Sequence, residues 1–265
     1  MKSLSILLSS LLLVIFMSCG DGAATKENTH QKLSTPEQTI INKIKQFPDS
    51  LILKENLIQL YRDSGNYKKA LSALDDFIKS DSSNGRFWNM KAILLFENGD
   101  TLNSIHAFEK EFEFLSSPTD SLSLATLYAE TKNEKANHIA DALIKNYSLK
   151  YEKEATFIKG LYESYQSNYV KAISFFDKCI SIDYTFMEAY REKSICLMNL
   201  KKYEDATNTL IKAVTLKNNF DEGYYYLGQC YEKTNQIEKA KDSYQKALLY
   251  SPDFTDAKEA LDKLK

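Results

Sequence analysis

The strongest constraint in this chain is a spacing of 34 residues at which similar residues recur. Counted from residue 51, the steps fall at 85, 119, 153, 187, 221 and 255. The units 187–220 and 221–254 align without a gap, as MEAYREKSICLMNLKKYEDATNTLIKAVTLKNNF over DEGYYYLGQCYEKTNQIEKAKDSYQKALLYSPDF. A fixed period of this length is typical of repeat architectures, in which each unit packs mainly on its neighbours. The sequence therefore predicts units stacked in order, without one central core.

Each unit contains two segments whose apolar residues recur at three- and four-residue spacings, which predicts two amphipathic helices, here called helix A and helix B. Position 20 of the unit is small, so that helices can approach each other: Ala70, Ser104, Ala172, Ala206 and Ala240. Position 24 is large and fills the space between helices: Leu74, Phe108, Phe176, Leu210 and Tyr244. Because the 265 residues include only 8 Gly and 4 Pro, we expect helices joined by short turns, and an all-α fold.

The last full unit carries the clearest family pattern: Tyr224, Leu227, Gly228 and Tyr231, then Ala240, Tyr244, Ala247 and Pro252. This unit resembles the tetratricopeptide repeat (TPR), with Tyr224 at the usual Trp and Tyr244 at the usual Phe. The resemblance implies a right-handed superhelical solenoid of about six helix-turn-helix repeats. Their expected bounds are 51–84, 85–118, 119–152, 153–186, 187–220 and 221–254.

Half-units extend this pattern in both directions. Residues 35–50 are expected to form a lone N-terminal helix, and residues 255–265 a terminal capping helix with a polar outer face, as solenoids require. The third repeat departs from the frame, because it is two residues short before its helix B. Its register stays open at this point.

The N-terminus carries a separate signal. Residues 1–18 combine Lys2 with an apolar stretch and end directly before Cys19, which resembles a bacterial lipoprotein signal whose Cys becomes lipidated. Residues 19–34 are small and polar and are expected to act as a flexible tether. We therefore expect an exported protein, anchored by lipid to the envelope and, in a host with an outer membrane, to that membrane. The alternative is an ordinary secretory signal that happens to contain a Cys.

The TPR resemblance implies that positions 2, 5, 9, 12 and 13 of helix A face a bound protein segment. The expected groove residues are Arg86, Asn89, Phe96, Phe157, Tyr165, Arg191, Asn199, Tyr225 and Gln229. The residue set with which some TPR proteins grip a C-terminal carboxylate is not reproduced at the matching positions. Arg191 together with Asn199 is still expected to be able to grip one carboxylate. The alternative is a solenoid surface with no particular partner.

Other site chemistries find little support in the sequence. The 34 Lys+Arg and 36 Asp+Glu give a formal charge of −2, which argues against a nucleic-acid surface. His106 and His138 are expected to point outward without clustered partners, so no metal is predicted.

Cys196 and Cys230 lie one period apart on neighbouring helices, too far for a disulfide, and with Cys179 they are predicted to be buried filler. No cofactor-binding or catalytic motif occurs.

The sequence thus predicts a non-enzymatic, lipid-anchored scaffold that binds protein segments in its concave groove. Its overall plan resembles that of bacterial envelope TPR lipoproteins. These include pilotins of type IV pili, a component of the outer-membrane protein insertion machinery, and scaffolds for peptidoglycan hydrolases, and no motif selects among them. An alternative of another class is carbohydrate binding. That alternative is motivated by the aromatic residues Phe157, Tyr165 and Tyr225 on the expected concave face.

Overall fold

A computed structural model describes residues 35–114 and 117–264, so Cys19, the signal and the tether lie outside the described residues. Within these ranges the chain forms thirteen α-helices and no strand. The helices are α1 (Pro36–Gln46), α2 (Leu51–Asp63), α3 (Tyr67–Ser80), α4 (Gly85–Glu97), α5 (Thr101–Phe114), α6 (Pro118–Glu130), α7 (Lys135–Tyr165), α8 (Tyr169–Ile182), α9 (Met187–Asn199), α10 (Tyr203–Leu216), α11 (Asp221–Lys233), α12 (Ile237–Tyr250) and α13 (Thr255–Asp262).

The turn between helix A and helix B has the same construction in most repeats. A residue with positive φ ends helix A at position 15: Gly65, Gly99, Ser167, Lys201 and Asn235. The amide of the next residue reaches back to the carbonyl five positions earlier, as from Gln236 to Tyr231 at 2.8 Å. This left-handed cap satisfies carbonyl groups that a helix end leaves without partners. In these repeats helix A and helix B are therefore joined by three residues.

The small and large positions of the sequence frame interlock inside each repeat. A Cβ added to Gly228 in α11 would lie 2.5 Å from a ring carbon of Tyr244 in α12, and Gly160 meets Phe176 in the same way. The position-20 residues Ala70, Ser104, Ala172, Ala206 and Ala240 are all fully buried. Helices A and B therefore approach so closely that only a small residue fits opposite the large side chain.

The junction of the third and fourth repeats differs from the expected pattern. No loop separates residues 152 and 153, because the single helix α7 runs through this boundary, with a non-helical kink at Tyr147 (φ −142°, ψ 33°). Ala136, Ala140 and Leu143 are buried at the spacing of positions 20, 24 and 27, but two residues early. The third repeat is thus short, as the sequence indicates, and the kinked α7 restores the frame before the fourth repeat.

The two ends of the solenoid are closed by helices that pack on one side. Helix α1 has no buried residue and lays Ile40, Ile41 and Ile44 against the first core cluster. Helix α13 buries Ala257 and packs on α12. Neither these nor any other helix in the described part of the chain is both long and apolar enough to span a bilayer.

Candidate functional site

The helices A form the inside of the curved stack. Helix α9 is the helix A of the fifth repeat, and it contacts the helices A of both neighbouring repeats, in α7 and α11. The helices B of successive repeats, α8, α10 and α12, do not contact one another to the same extent. Elements that lie closer together from repeat to repeat are on the inner side of a solenoid's curve. The inner face is defined here as positions 2, 5, 9, 12 and 13 of the helices A, continued by the matching positions of α13.

A cavity of about 270 Å³ opens at the C-terminal end of this inner face. Its lining comes from α11, α12 and α13: Tyr225, Gln229, Glu232, Tyr244, Asp256, Glu259, Ala260 and Lys263. Tyr225, Gln229 and Glu232 are positions 5, 9 and 12 of their repeat. The structure therefore brings two of the predicted groove residues, Tyr225 and Gln229, together around one concavity.

Tyr225 is held firmly by other aromatic rings. Its ring centroid lies 5.0 Å from that of Phe254 and 5.9 Å from that of Tyr244. Burial raises the pKa of Tyr225, and the negative charge of Asp256 raises it further. The Tyr244 hydroxyl donates a hydrogen bond to Glu232. The cavity thus combines a fixed aromatic wall with several carboxylates.

Arg191 does not offer the free fork that the sequence analysis expected. Its Nε donates to Glu192 at 3.0 Å and its Nη1 to Glu222 of the next repeat at 2.6 Å. Burial disfavours the charge on the guanidinium, but the two carboxylates outweigh burial and raise the pKa of Arg191. The exposed Asn199 donates its side-chain amide to the carbonyl of Ile195 at 2.9 Å. Glu192 and Glu222 already bind the guanidinium and would compete with a ligand carboxylate, so the grip of Arg191 and Asn199 on a ligand stays a prediction.

Tyr165 lies in the middle of the inner face, among acidic groups. Its side chain is 39% exposed. Burial of its hydroxyl raises the pKa of Tyr165 to about 12, and the charges of Glu130 and Glu192 act in the same direction. Burial also raises the pKa values of both carboxyls. The cation of Arg191 acts in the opposite direction on Tyr165. This part of the inner face therefore holds charges of both signs around an accessible phenol ring.

The remaining predicted groove residues are taken up by contacts within the chain. Exposed Arg86 lies 3.6 Å from Glu55 of the first repeat, and half-buried Phe96 packs against the central core. Phe157 contacts the rings of Phe176 and Phe186, with centroids 5.5 and 5.0 Å away. Phe157 is thus a packing residue, which leaves the carbohydrate alternative with two of its three aromatic rings.

Asn89 belongs to a polar network between the second and third repeats, not to an open groove. Its amide donates to Glu111 at 3.0 Å and to Asp120 at 3.2 Å. Glu111 is fully buried, and its Oε2 has no hydrogen-bond partner among the residues that the structure describes. Burial raises the pKa of Glu111 to about 7; the Asn89 hydrogen bond lowers it and Asp120 raises it. The sequence analysis did not predict this buried carboxyl. A signal for it exists, because Glu111 occupies position 27, where later repeats have the small residues Cys179, Ala213 and Ala247.

The cysteines and histidines behave as the sequence predicts. Cys179, Cys196 and Cys230 are free and buried, and burial raises the pKa of Cys179 to about 12 and those of Cys196 and Cys230 to about 11. His106 and His138 are exposed. Across the described residues, no group of three or more His, Cys, Asp or Glu side chains could hold a metal ion.

Comparison with known proteins agrees with the repeat geometry. Models of the tetratricopeptide repeat match residues 56–116 and 221–254. Heat shock protein STI1 of Saccharomyces cerevisiae is 33% identical over 98 residues, 37% of this chain and 17% of that protein. The DnaJ homolog subfamily C member 7 homolog of Dictyostelium discoideum is 20% identical over 231 residues, 86% of this chain and 39% of that protein. The chain thus spans less than half the length of either relative.

Solved structures extend the likeness to most of the chain. A tetratricopeptide repeat protein from Parabacteroides merdae superposes with a TM-score of 0.72 at 18% identity, over 86% of this chain and 90% of that one. PilW, described as a widely conserved type IV pilus biogenesis factor, gives 0.61 at 14% identity, over 79% of this chain and 97% of that one. The chain therefore carries tetratricopeptide repeats, and its described residues fold as an all-α TPR superhelix.

Proposed function

We propose that this protein is a non-enzymatic scaffold that binds segments of partner proteins on its inner face while a lipid on Cys19 holds it at the cell envelope. The observation that carries the binding role is the open cavity of the inner face, where Tyr225 and Gln229 meet α13. Interface anchors are commonly rigid aromatic side chains in a concavity. Tyr225 has that character, because three neighbouring rings hold it.

The state of the reactive groups supports a scaffold over an enzyme. The three thiols in the described residues are buried with raised pKa values, so they are protonated at neutral pH, whereas a nucleophilic Cys acts as the accessible thiolate. Glu111, whose pKa lies near neutrality, is sealed between repeats. These groups therefore serve packing and leave binding as the role of the inner face.

The envelope location rests on the N-terminal sequence alone. Lys2, the apolar stretch and Cys19 form the lipoprotein-like signal, and a likeness to PilW at 14% identity speaks only to fold. Cys19→Ser should release the protein from membranes into the soluble fraction, because the acylated residue is lost. Fractionation and immunoblotting measure this. Unchanged membrane association of Cys19→Ser would disprove lipid anchoring at this position.

Site-specific photo-crosslinking in living cells tests the binding role. A photoreactive phenylalanine analogue replaces Tyr165 or Gln229 on the inner face, and exposed Asn208 on helix α10 serves as the outer control. We expect both inner positions to capture the same protein, with the captured segment identified by mass spectrometry. Equal capture from Asn208, or no capture from either inner position, would contradict the proposal.

The carbohydrate alternative keeps one specific support, the two accessible rings of Tyr165 and Tyr225. A glycan array with the purified protein separates the two functions. Sugar binding that disappears in Tyr225→Ala would favour the alternative. Absence of sugar binding together with a crosslinked protein segment would favour the scaffold.

A further inference from the structure

The arginines of the inner face each lie against at least one carboxylate of the chain. Arg62 pairs with Glu97, Arg86 lies 3.6 Å from Glu55, and Arg191 binds two carboxylates at once. A carboxylate of the chain that already occupies guanidinium donors competes with an acidic ligand for the same group. The positive charge of these arginines is therefore largely offset within the chain, although the Arg86 side chain stays 63% exposed.

Carboxylates, in contrast, remain in excess towards the C-terminal end of the inner face. Glu192 and Glu222 share the single cation of Arg191. Asp256 and Glu259 line the cavity, are exposed, and form no ion pair within the described residues. Glu232 is also a lining residue and is opposed by one lining cation, the exposed Lys263. Three carboxylates against one ammonium give the cavity a negative field.

The aromatic wall of the same cavity is an observation independent of its charge. Tyr225 and Tyr244 line it together with the carboxylates, and the face of a phenol ring attracts ammonium and guanidinium groups. The volume of about 270 Å³ lies just below the ~300–1,000 Å³ of sites for drug-sized ligands. Such a cavity suits one long side chain of a bound segment.

We infer that the partner segment is cationic: it carries Lys or Arg side chains along the inner face and places one of them in the cavity between α11 and α13. This inference rests on the proposed scaffold function and specifies the chemistry of its partner. Charge complementarity carries it, since opposite potentials steer and orient partners. The same field repels acidic peptides and free C-terminal carboxylates.

Synthetic peptides with blocked ends provide the test. The probe is an acetylated and amidated peptide of Gly and Ala with several Lys and Arg residues, compared with versions in which Gln or Glu replaces every cation. Fluorescence anisotropy measures binding to the purified full chain at low and physiological salt. We expect binding of the cationic peptide alone, weakening as salt rises.

A matched pair of variants locates the site. Asp256→Asn with Glu259→Gln removes two lining carboxylates, and Asp76→Asn with Glu238→Gln removes two exposed carboxylates of α3 and α12. We expect the first pair to weaken the cationic peptide by about fivefold and the second pair to leave its affinity within about twofold. Equal circular dichroism spectra show that both variants fold.

Different outcomes would contradict the cationic partner and the proposed scaffold function. Equal binding of the Gln or Glu peptide, loss of affinity in the Asp76 and Glu238 control as large as in the cavity variant, or no peptide binding would overturn the cationic partner. A crosslinked segment without Lys or Arg would also overturn it, while leaving the scaffold function in place. No crosslinked segment from the inner face would contradict the scaffold function itself.

Discussion

Helices pack differently in the last two repeats and in the centre of the molecule. Helices α9 to α12 keep the frame of 34 residues throughout, and α11 meets α12 through Gly228 opposite Tyr244. Helices α5 to α7 lose two residues, fuse two repeats across the kink at Tyr147 and bury Glu111, one oxygen of which has no hydrogen-bond partner among the described residues. Where the period holds, the buried charge of Arg191 is paired with carboxylates; where it slips, a buried carboxyl is only partly paired and the repeat interface depends on pH.

The largest loss of stability is expected when the fully buried Tyr244 of the last repeat is replaced. Tyr244→Ala should lower the free energy of unfolding by about 3–5 kcal/mol, because it removes buried ring area and leaves a cavity opposite Gly228. Chemical denaturation followed by circular dichroism measures the change. Tyr250→Ala is the matched control on the same helix, since Tyr250 is 42% exposed, and should cost less than half as much.

A smaller loss of stability is expected when the Arg191 cation is removed from the last two repeats. Arg191→Met should lower the free energy of unfolding by about 2–4 kcal/mol at neutral pH, because Glu192 and Glu222 lose their shared partner. Arg62→Met removes the more exposed pair with Glu97 and should cost under about 1 kcal/mol. Equal losses in urea titrations of the two variants would contradict this contrast.

The irregular centre should respond to pH through Glu111. Its folded pKa of about 7 lies above the ordinary value of 4.5, so the folded state binds more protons between those values. The stabilising protonated form is complete below pH 4.5 and is lost as pH rises through 7. Glu111→Gln should therefore be more stable than the original chain at pH 8, by about 1–3 kcal/mol.

Urea titrations at pH 5 and pH 8 check the Glu111 prediction. The advantage of Glu111→Gln should shrink towards pH 5, where the original carboxyl is largely protonated. Glu238→Gln on exposed α12 is the control for the Glu→Gln replacement itself. An advantage of Glu111→Gln that is the same at both pH values would contradict the raised pKa of Glu111.

The smallest effect is expected at Asn199. Within the described part of the chain, its side-chain amide donates only to the carbonyl of Ile195 one turn earlier, and its side chain is exposed. Asn199→Ala should change the free energy of unfolding by less than about 0.5 kcal/mol and leave capture by crosslinking unchanged. A marked loss of capture would show that the amide turns towards a bound segment.

Much of the fold was predictable because it depends on local spacing. Helices α9 and α11 begin at Met187 and Asp221, the positions where the units begin. The buried small residues and the free cysteines also follow from position within the unit. The missing loop at 152 and 153 was not predictable from the frame, because fusing two helices requires the long-range packing of α7 against α6 and α8.

The candidate site was predicted less well than the fold. Position within helix A brings Tyr225 and Gln229 to the same side of α11, where they line one cavity, but it does not show which polar residues meet each other. The pairing of Arg191 with Glu222, 31 residues away, forms only when two repeats stack. Ion pairs between repeats therefore cannot be predicted from the position of a residue within its own repeat.

The amino-acid sequence by itself determined the period, the helix pairs and the small and large positions, since these depend on the backbone's helical geometry and on side-chain size. The tertiary structure alone decided which charges cancel. It pairs Arg191 with two carboxylates, buries Glu111 between repeats, and places Asp256 and Glu259 beside Tyr225 with no ion pair to another described residue. The physical reason is that charge interactions act through space over a few ångströms, and only stacking brings residues of different repeats within that distance.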